Sequence, residues 1–132
     1  MNDQQIESEI QAKGLTAPRV SLSDVEANIA GEVYFTAADG YAGGLTTEEI
    51  QTMPVNVDGL PLVEPPAALE LLTFCVLVLR NGFTVTGESA CASPENFDAD
   101  LGRKIARQNA VNKIWPLLGF ALKQRLHEGR EG

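Results

Sequence analysis

The chain has 132 residues and a mass of 14.2 kDa, with 44% apolar residues, 21% charged residues and a mean hydropathy of −0.06. That is one domain's length and an ordinary globular composition, which excludes a multidomain enzyme and wholesale disorder. Ten basic residues against eighteen acidic ones give a net charge of −8, which opposes binding to a duplex nucleic-acid backbone.

The charge is unevenly placed. Residues 1–102 carry sixteen acids and three bases, a sum of −13, whereas residues 103–132 carry seven bases and two acids, a sum of +5. The C-terminal segment can therefore hold a small anion locally, or its bases can complement a helix C-terminus. No run of eighteen apolar residues is present, so no membrane helix is expected. The start, MNDQQIESEIQAKG, has neither the basic opening nor the apolar run of a secretory signal, and a cytosolic protein is expected. Cys75, Cys91 and His127 show no ligand spacing, so neither a metal nor a cofactor is expected.

In chain order, residues 2–13 read as a short polar helix with Ile6 and Ile10 four apart and Gly14 as a stop. Ser21 or Ser23 caps a second short helix, with Val25 and Ile29 inward and Gly31 near its end. EVYFTAADGYA, residues 32–42, is aromatic and carries an Asp39-Gly40 turn signal. Thr46-Thr47-Glu48-Glu49 opens a brief helix through Met53. Residues 54–66 hold four of the seven prolines and read as an excursion with little regular structure.

LLTFCVLVLR (71–80), Asn81-Gly82 and FTVTGESAC (83–91) form the strongest local signal, a β-hairpin. A two-residue turn sets Arg80 opposite Phe83, Val78 opposite Val85 and Val76 opposite Gly87. The expected core face is then Leu72, Phe74, Val76, Val78, Phe83, Val85 and Cys91. Cys75 and Cys91 fall on opposite faces and stay reduced. Ser93-Pro94-Glu95, or else Asp98, opens a long helix to Trp115, which Pro116 kinks or restarts before Leu117–His127.

The expected architecture is α+β: an antiparallel β-hairpin-centred sheet with short N-terminal helices and a long kinked C-terminal helix. One domain spans 1–132, divided into an N-terminal helical part (1–53), a proline-rich linker or insert (54–70) and the hairpin with its C-terminal helices (71–132).

No nucleophile with a base and an orienting partner is visible, and Gly40-Tyr41-Ala42-Gly43-Gly44 lacks the lysine of a phosphate loop. Catalysis is therefore not expected. The notable constellation is Arg103 and Arg107, four apart and so stacked on one helix face. Two guanidinium groups there suit bidentate capture of phosphate or stacking on a base. From residue types alone, pairing of either arginine with Asp98, Asp100 or Glu95 is the simpler reading. The hairpin adds Phe83 and Thr86, and the small polar stretch before the helix adds Asn96, as further candidate ligand-binding residues.

The string LxFCVLxLRNGFTVTGESACASPENFDxxLGRKIARxNAxxKIWPLLGxxL, from Leu71 to about Leu126, together with YFTAADG at 34–40, resembles the small-protein phage family named after gene products 49 and 66 of two enterobacterial phages. More loosely, that family resembles the type one anti-Thoeris proteins of phages. These bind and sequester the cyclic ADP-ribose isomer of a bacterial defence system without cleaving it. Related members hold cyclic oligonucleotides and assemble as dimers or hexamers.

The resemblance implies a phage-encoded cyclic-nucleotide sponge acting in the host bacterial cytoplasm. It also implies a site where the helix arginines, here Arg103 and Arg107, meet the sheet, completed by a second protomer. Phe83, Thr86 and Asn96 come from the hairpin reading and not from the family. The proline-rich 54–66 has no counterpart in the recognised strings. The competing function is an interaction module that inhibits a host protein through the acidic N-terminal half or the insert. A homo-oligomer is expected in either case, because the mixed sheet face and Trp115, Phe120 and Leu122 exceed what a thin fold covers.

Overall fold

The computed structural model describes residues 2–15 and 17–131. Reciprocal N-terminal caps set four of its five helices. Asn2 with Gln5 opens α1 (Asp3–Ala12), Ser21 with Asp24 opens α2 (Leu22–Ala27), Thr36 with Asp39 opens α3 (Ala37–Gly43), and Thr46 with Glu49 opens α4 (Thr47–Gln51). In each, the cap side chain accepts from the third helical N–H and the third residue's side chain accepts from the cap N–H. The fifth helix, α5 (Ala99–Glu131), starts at Asp98, whose Oδ1 accepts from Leu101 N–H at 3.1 Å.

Three strands complete the fold: β1 (Ile29–Thr36), β2 (Leu72–Leu79) and β3 (Thr84–Ala90). They form one antiparallel sheet in the order β1-β2-β3. The architecture is α+β, as expected. Residues 29–36 supply a third strand, so the N-terminal part is not helical throughout. Asp39-Gly40, read as a turn, lies inside α3, because Asp39 is committed to the Thr36 cap. Ser93-Pro94-Glu95 opens only a 3-10 turn, Pro94–Asn96, and the alternative start at Asp98 is the real one.

Pro116 does not restart the last helix. It forgoes one hydrogen bond, the one to the Asn112 carbonyl, and α5 runs on for 33 residues, about 50 Å at 1.5 Å per residue. The eight-residue strand β2 extends about 26 Å, so the second half of α5 reaches past the sheet and packs Leu118, Ala121 and Leu122 beside α2.

The hairpin differs from expectation by one residue. Leu79 N–H donates to the Phe83 carbonyl at 2.8 Å, and Val78, Leu77 and Cys75 stand opposite Thr84, Val85 and Gly87. The loop has three residues, not two. Gly82 N–H donates to the Leu79 carbonyl at 2.9 Å with φ at +87°, and Asn81 Oδ1 accepts from Phe83 N–H at 2.9 Å. Asn-Gly is thus the right turn chemistry in a longer turn, and the extra residue turns β3 over relative to β2.

The buried face is also the opposite one. Thr73, Cys75, Leu77 and Leu79 are buried, while Leu72, Phe74, Val76 and Val78 are half-buried on the far side. Of the seven residues expected in the core only Val85 is buried; Phe83 is exposed. The core is Val25, Cys75, Leu77, Leu79 and Val85 against Ala106, Ala110, Val111 and Ile114 of α5. In this register Cys75 pairs with Gly87, four positions along the strand from Cys91, so about 13 Å of strand separates the two free thiols. The face argument for keeping them apart is replaced by this separation.

Gly87 explains the choice of face. It is buried beneath α5. A Cβ added there would lie 2.9 Å from the Asn109 carbonyl carbon and closer still to the Ala106 oxygen and Ala110 nitrogen. Helix backbone rests on strand backbone with no room for a methyl group. Gly87→Ala is expected to cost about 3 kcal/mol, measured as a lowered urea midpoint at unchanged slope. Gly119→Ala, where a Cβ meets nothing within 4 Å, should instead raise stability by about 0.5–1 kcal/mol.

Candidate functional site

The words YFTAADG, ENFD and GRKIAR lie far apart in sequence but converge where β1 ends and α5 begins. Thr36 closes β1 and caps α3 through reciprocal bonds with Asp39 of 2.9 and 3.1 Å. The 3-10 turn at Pro94–Asn96 delivers Phe97, and Asp98 starts the helix that carries Arg103. These pieces, with Tyr34, Phe35, Thr73 and Ala99, enclose a concavity of about 140 Å³. Three aromatic side chains and one guanidinium group line it. Phe35 also stacks on Phe74 with centroids 5.4 Å apart, which fixes that wall. Among the described residues, Arg103 has no hydrogen-bonding or ion-pair partner.

Arg107, one turn further along α5, is fully engaged. Its Nε donates to Glu32 Oε1 at 2.9 Å, and its Nη1 and Nη2 donate to Glu26 at 3.3 and 2.9 Å. Tyr34 hydroxyl donates to the other oxygen of Glu32 at 3.0 Å. A chain of polar contacts thus runs from α2 through α5 and β1 to a wall of the concavity. The hydrogen bond from Arg107 holds the Glu32 carboxyl below its ordinary range. Burial first, and the bond to Glu32 second, push the Tyr34 hydroxyl well above its own. The paired carboxylates, Glu26 ahead of Glu32, raise Arg107 further. Burial also raises the Cys75 thiol, so it is protonated at neutral pH and is no nucleophile.

The two arginines expected to act together therefore have different surroundings. The carboxylates that pair with Arg107 are Glu26 and Glu32, not the Asp98, Asp100 or Glu95 expected from sequence, while Asp100 pairs with Lys104 at 3.1 Å. Asn96 lies on the far side of Phe97, in a second concavity of about 140 Å³ with Ser89 and Cys91. Thr86 belongs to the sheet face opposite the core, on the outer strand β3, where Lys113 Nζ of α5 reaches round the edge and donates to its hydroxyl at 3.5 Å. Phe83 sits at the hairpin turn, at the opposite end of the sheet. The structure thus places Arg103 and Asn96 in two separate concavities that share Phe97 as a wall, and leaves Phe83 and Thr86 elsewhere. Sequence reasoning missed Tyr34, Asp39 and Phe97 as lining residues. The Thr36-x-x-Asp39 capping signature was the available signal that Tyr34 and Phe35 end a strand at a fixed corner.

The arrangement offers an unpaired cation beside aromatic side chains, with the Asp39 carboxylate of the same lining held by the Thr36 N–H. Among the described residues no three His, Cys, Asp or Glu side chains gather as a metal site, and no helix is long and apolar enough to cross a membrane.

A family model for the phage protein (N4 Gp49/phage Sf6 gene 66) family matches residues 20–126. The match takes in every residue of both concavities and runs through 54–66; α1 precedes it. Comparison with curated proteins and with solved structures finds no match.

The Arg107 network makes stability pH-dependent. A carboxyl held low in the folded state contributes stability above the unfolded glutamate value of 4.5, and that contribution fades as pH falls through the lower folded value. Arg107→Ala is expected to cost about 1–2 kcal/mol at pH 7, a range reduced for the partial exposure of both carboxylates, and to shrink the stability lost below pH 4.5. Urea denaturation at a series of pH values reads both effects. Lys104→Ala, which breaks an exposed pair, should change stability by no more than about 0.5 kcal/mol.

Proposed function

The chain belongs to the phage protein family of N4 Gp49 and Sf6 gene 66, and from that premise we propose that it binds and sequesters a cyclic nucleotide immune signal in the host bacterial cytoplasm, without cleaving it. The observation that carries the reading is the unpaired Arg103 guanidinium beside Tyr34, Phe35 and Phe97. A cation for phosphate and flat aromatic faces for a base are what a sponge for such a ligand needs. A sponge needs no nucleophile to hold its ligand. The ligand class proposed is a cyclic ADP-ribose isomer, with cyclic oligonucleotides as the extension.

Size adds a constraint. Pockets for drug-sized ligands run to about 300–1,000 Å³, well above the 140 Å³ found here. A dinucleotide-sized molecule therefore straddles this concavity and a second surface, and the reading places that surface on another copy of the chain. The sheet face away from α5 supports such an assembly, with Val33 51% and Phe35 36% exposed beside half-buried Phe74, Val76 and Val78. Phe120, 74% exposed on the projecting part of α5, supports it too. The same apolar surfaces favour a second reading, an interaction module that docks on a host protein.

Native mass spectrometry of the protein with cyclic ADP-ribose isomers and cyclic di- and trinucleotides tests the first reading. The expected result is a dimer or hexamer retaining an unmodified ligand, with Arg103→Ala weakening binding at least tenfold. Arg103→Ala binding like wild type overturns the site. A hydrolysed ligand overturns sequestration. An oligomer or monomer that takes up none of these molecules moves the assignment to the protein-docking reading.

A further inference from the structure

Helix α1 lies before the family-matched region and is attached in an unusual way. Its one buried residue is an acid, Glu7. The two apolar residues that should anchor it do so poorly: Ile6 is 43% exposed and Ile10 is half-buried. Between them, Val20 and Trp115 a cavity of about 230 Å³ is left unfilled. Close-packed docking of an amphipathic helix leaves no such space.

What grips α1 is the Glu7 carboxylate. It accepts from both terminal nitrogens of Arg19 at 2.9 and 3.1 Å, and at 3.4 Å from Leu22 N–H in the first turn of α2. One further tie, Gln108 Nε2 to Asp3 at 3.1 Å, is exposed. A ten-residue helix is too short to stay helical alone in water. Its order therefore depends on docking. Gly14, at φ +68° with nothing within 4 Å of an added Cβ, follows as a pivot.

The geometry points to α1 as a releasable strap over the Trp115 face of α5, latched by the Glu7–Arg19 pair. Release uncovers Val20 and Trp115 while the sheet and the rest of α5 stay folded. The charged groups around Glu7 are Arg19 from the connection, Asp24 from α2 and, on α1 itself, Asp3 at the rim of the same cavity, while α5 presents the uncharged Trp115 to it. Arg19 lowers the Glu7 carboxyl, so the latch holds above the ordinary glutamate range and opens as pH falls through the lower value.

Trp115 is the chain's single tryptophan, and its buried Nε1 has no hydrogen-bond partner among the described residues, so it reports on the seam directly. The test is hydrogen exchange by mass spectrometry, with acrylamide quenching of Trp115, on the full chain. Glu7→Gln at pH 7.5 should speed exchange of residues 3–12 at least tenfold and raise quenching, with exchange in β2 and in residues 99–115 unchanged. Wild type taken toward pH 4, with exchange corrected for intrinsic rates, should release the same segment ahead of the sheet. The exchanged pair Glu7→Arg with Arg19→Glu should restore protection. Unchanged protection of α1 in Glu7→Gln overturns the latch. Loss of α1 only together with the sheet, in the variant or in acid, overturns the strap.

Discussion

The fold turns on the absence of one side chain. At Gly87 the backbone of α5 rests on the backbone of β3, and every other packing choice follows from that distance. A helix brought so close must itself be lined with small residues, and the contacting positions are Ala106 and Ala110. The face of β2 that shares Gly87's side must then be the buried one, so Cys75 and Leu77 go inward although Phe74 and Val76 are as apolar. The first turn of α5 is in turn carried to the end of β1, where Arg103 meets Tyr34 and Phe97. The close approach at Ala106 and Ala110 lies only one to two helical turns from Arg103, so it sets where that side chain meets the end of β1.

The two arginines of α5 divide the work of holding and presenting. Arg107 binds α2 to β1 by drawing Glu26 and Glu32 onto one guanidinium group, and Glu32 in turn fixes the Tyr34 hydroxyl. Those carboxylates come from a segment rich in acids, so the acidic N-terminal part and the basic C-terminal part of the chain are partners within the fold. Arg103 has no such partner among the described residues, and its charge is available at the concavity. A four-residue spacing puts two side chains on one helix face but says nothing about what the neighbouring elements bring to each.

Sequence reading recovered what is local. Four of the five helix starts are written as a cap residue with its partner three positions on; Ser21 and Thr46 read as such, Thr36 with Asp39 reads as a turn, and Asn-Gly marked the hairpin. It missed what depends on a second element. LLTFCVLVLR is apolar on both faces, so alternation could not select the buried one. Register followed from an assumed two-residue turn, and one added residue inverted β3. Strand β1 was hidden because its positions on the α5 side are Glu32, Tyr34 and Thr36, polar residues whose placement makes sense only beside Arg107 and the α3 cap. Of the five site residues read from sequence, Arg103 and Asn96 share a neighbourhood because both sit next to the start of α5. Phe83 and Thr86 were placed by the inverted register and do not join them.

The position of α5 also decides how the sheet meets its surroundings. Asn109 Nδ2 donates to the Glu88 carbonyl at 2.8 Å, so the helix occupies an acceptor on the outer side of β3. A three-stranded sheet has two lateral rims, and this one is partly spoken for from within the chain. The rim along β1 has no such cover from α5. An incoming strand would find that acceptor already taken, so the helix blunts the β3 rim at Glu88 while the remaining outward groups of the strand keep their ordinary pairing capacity.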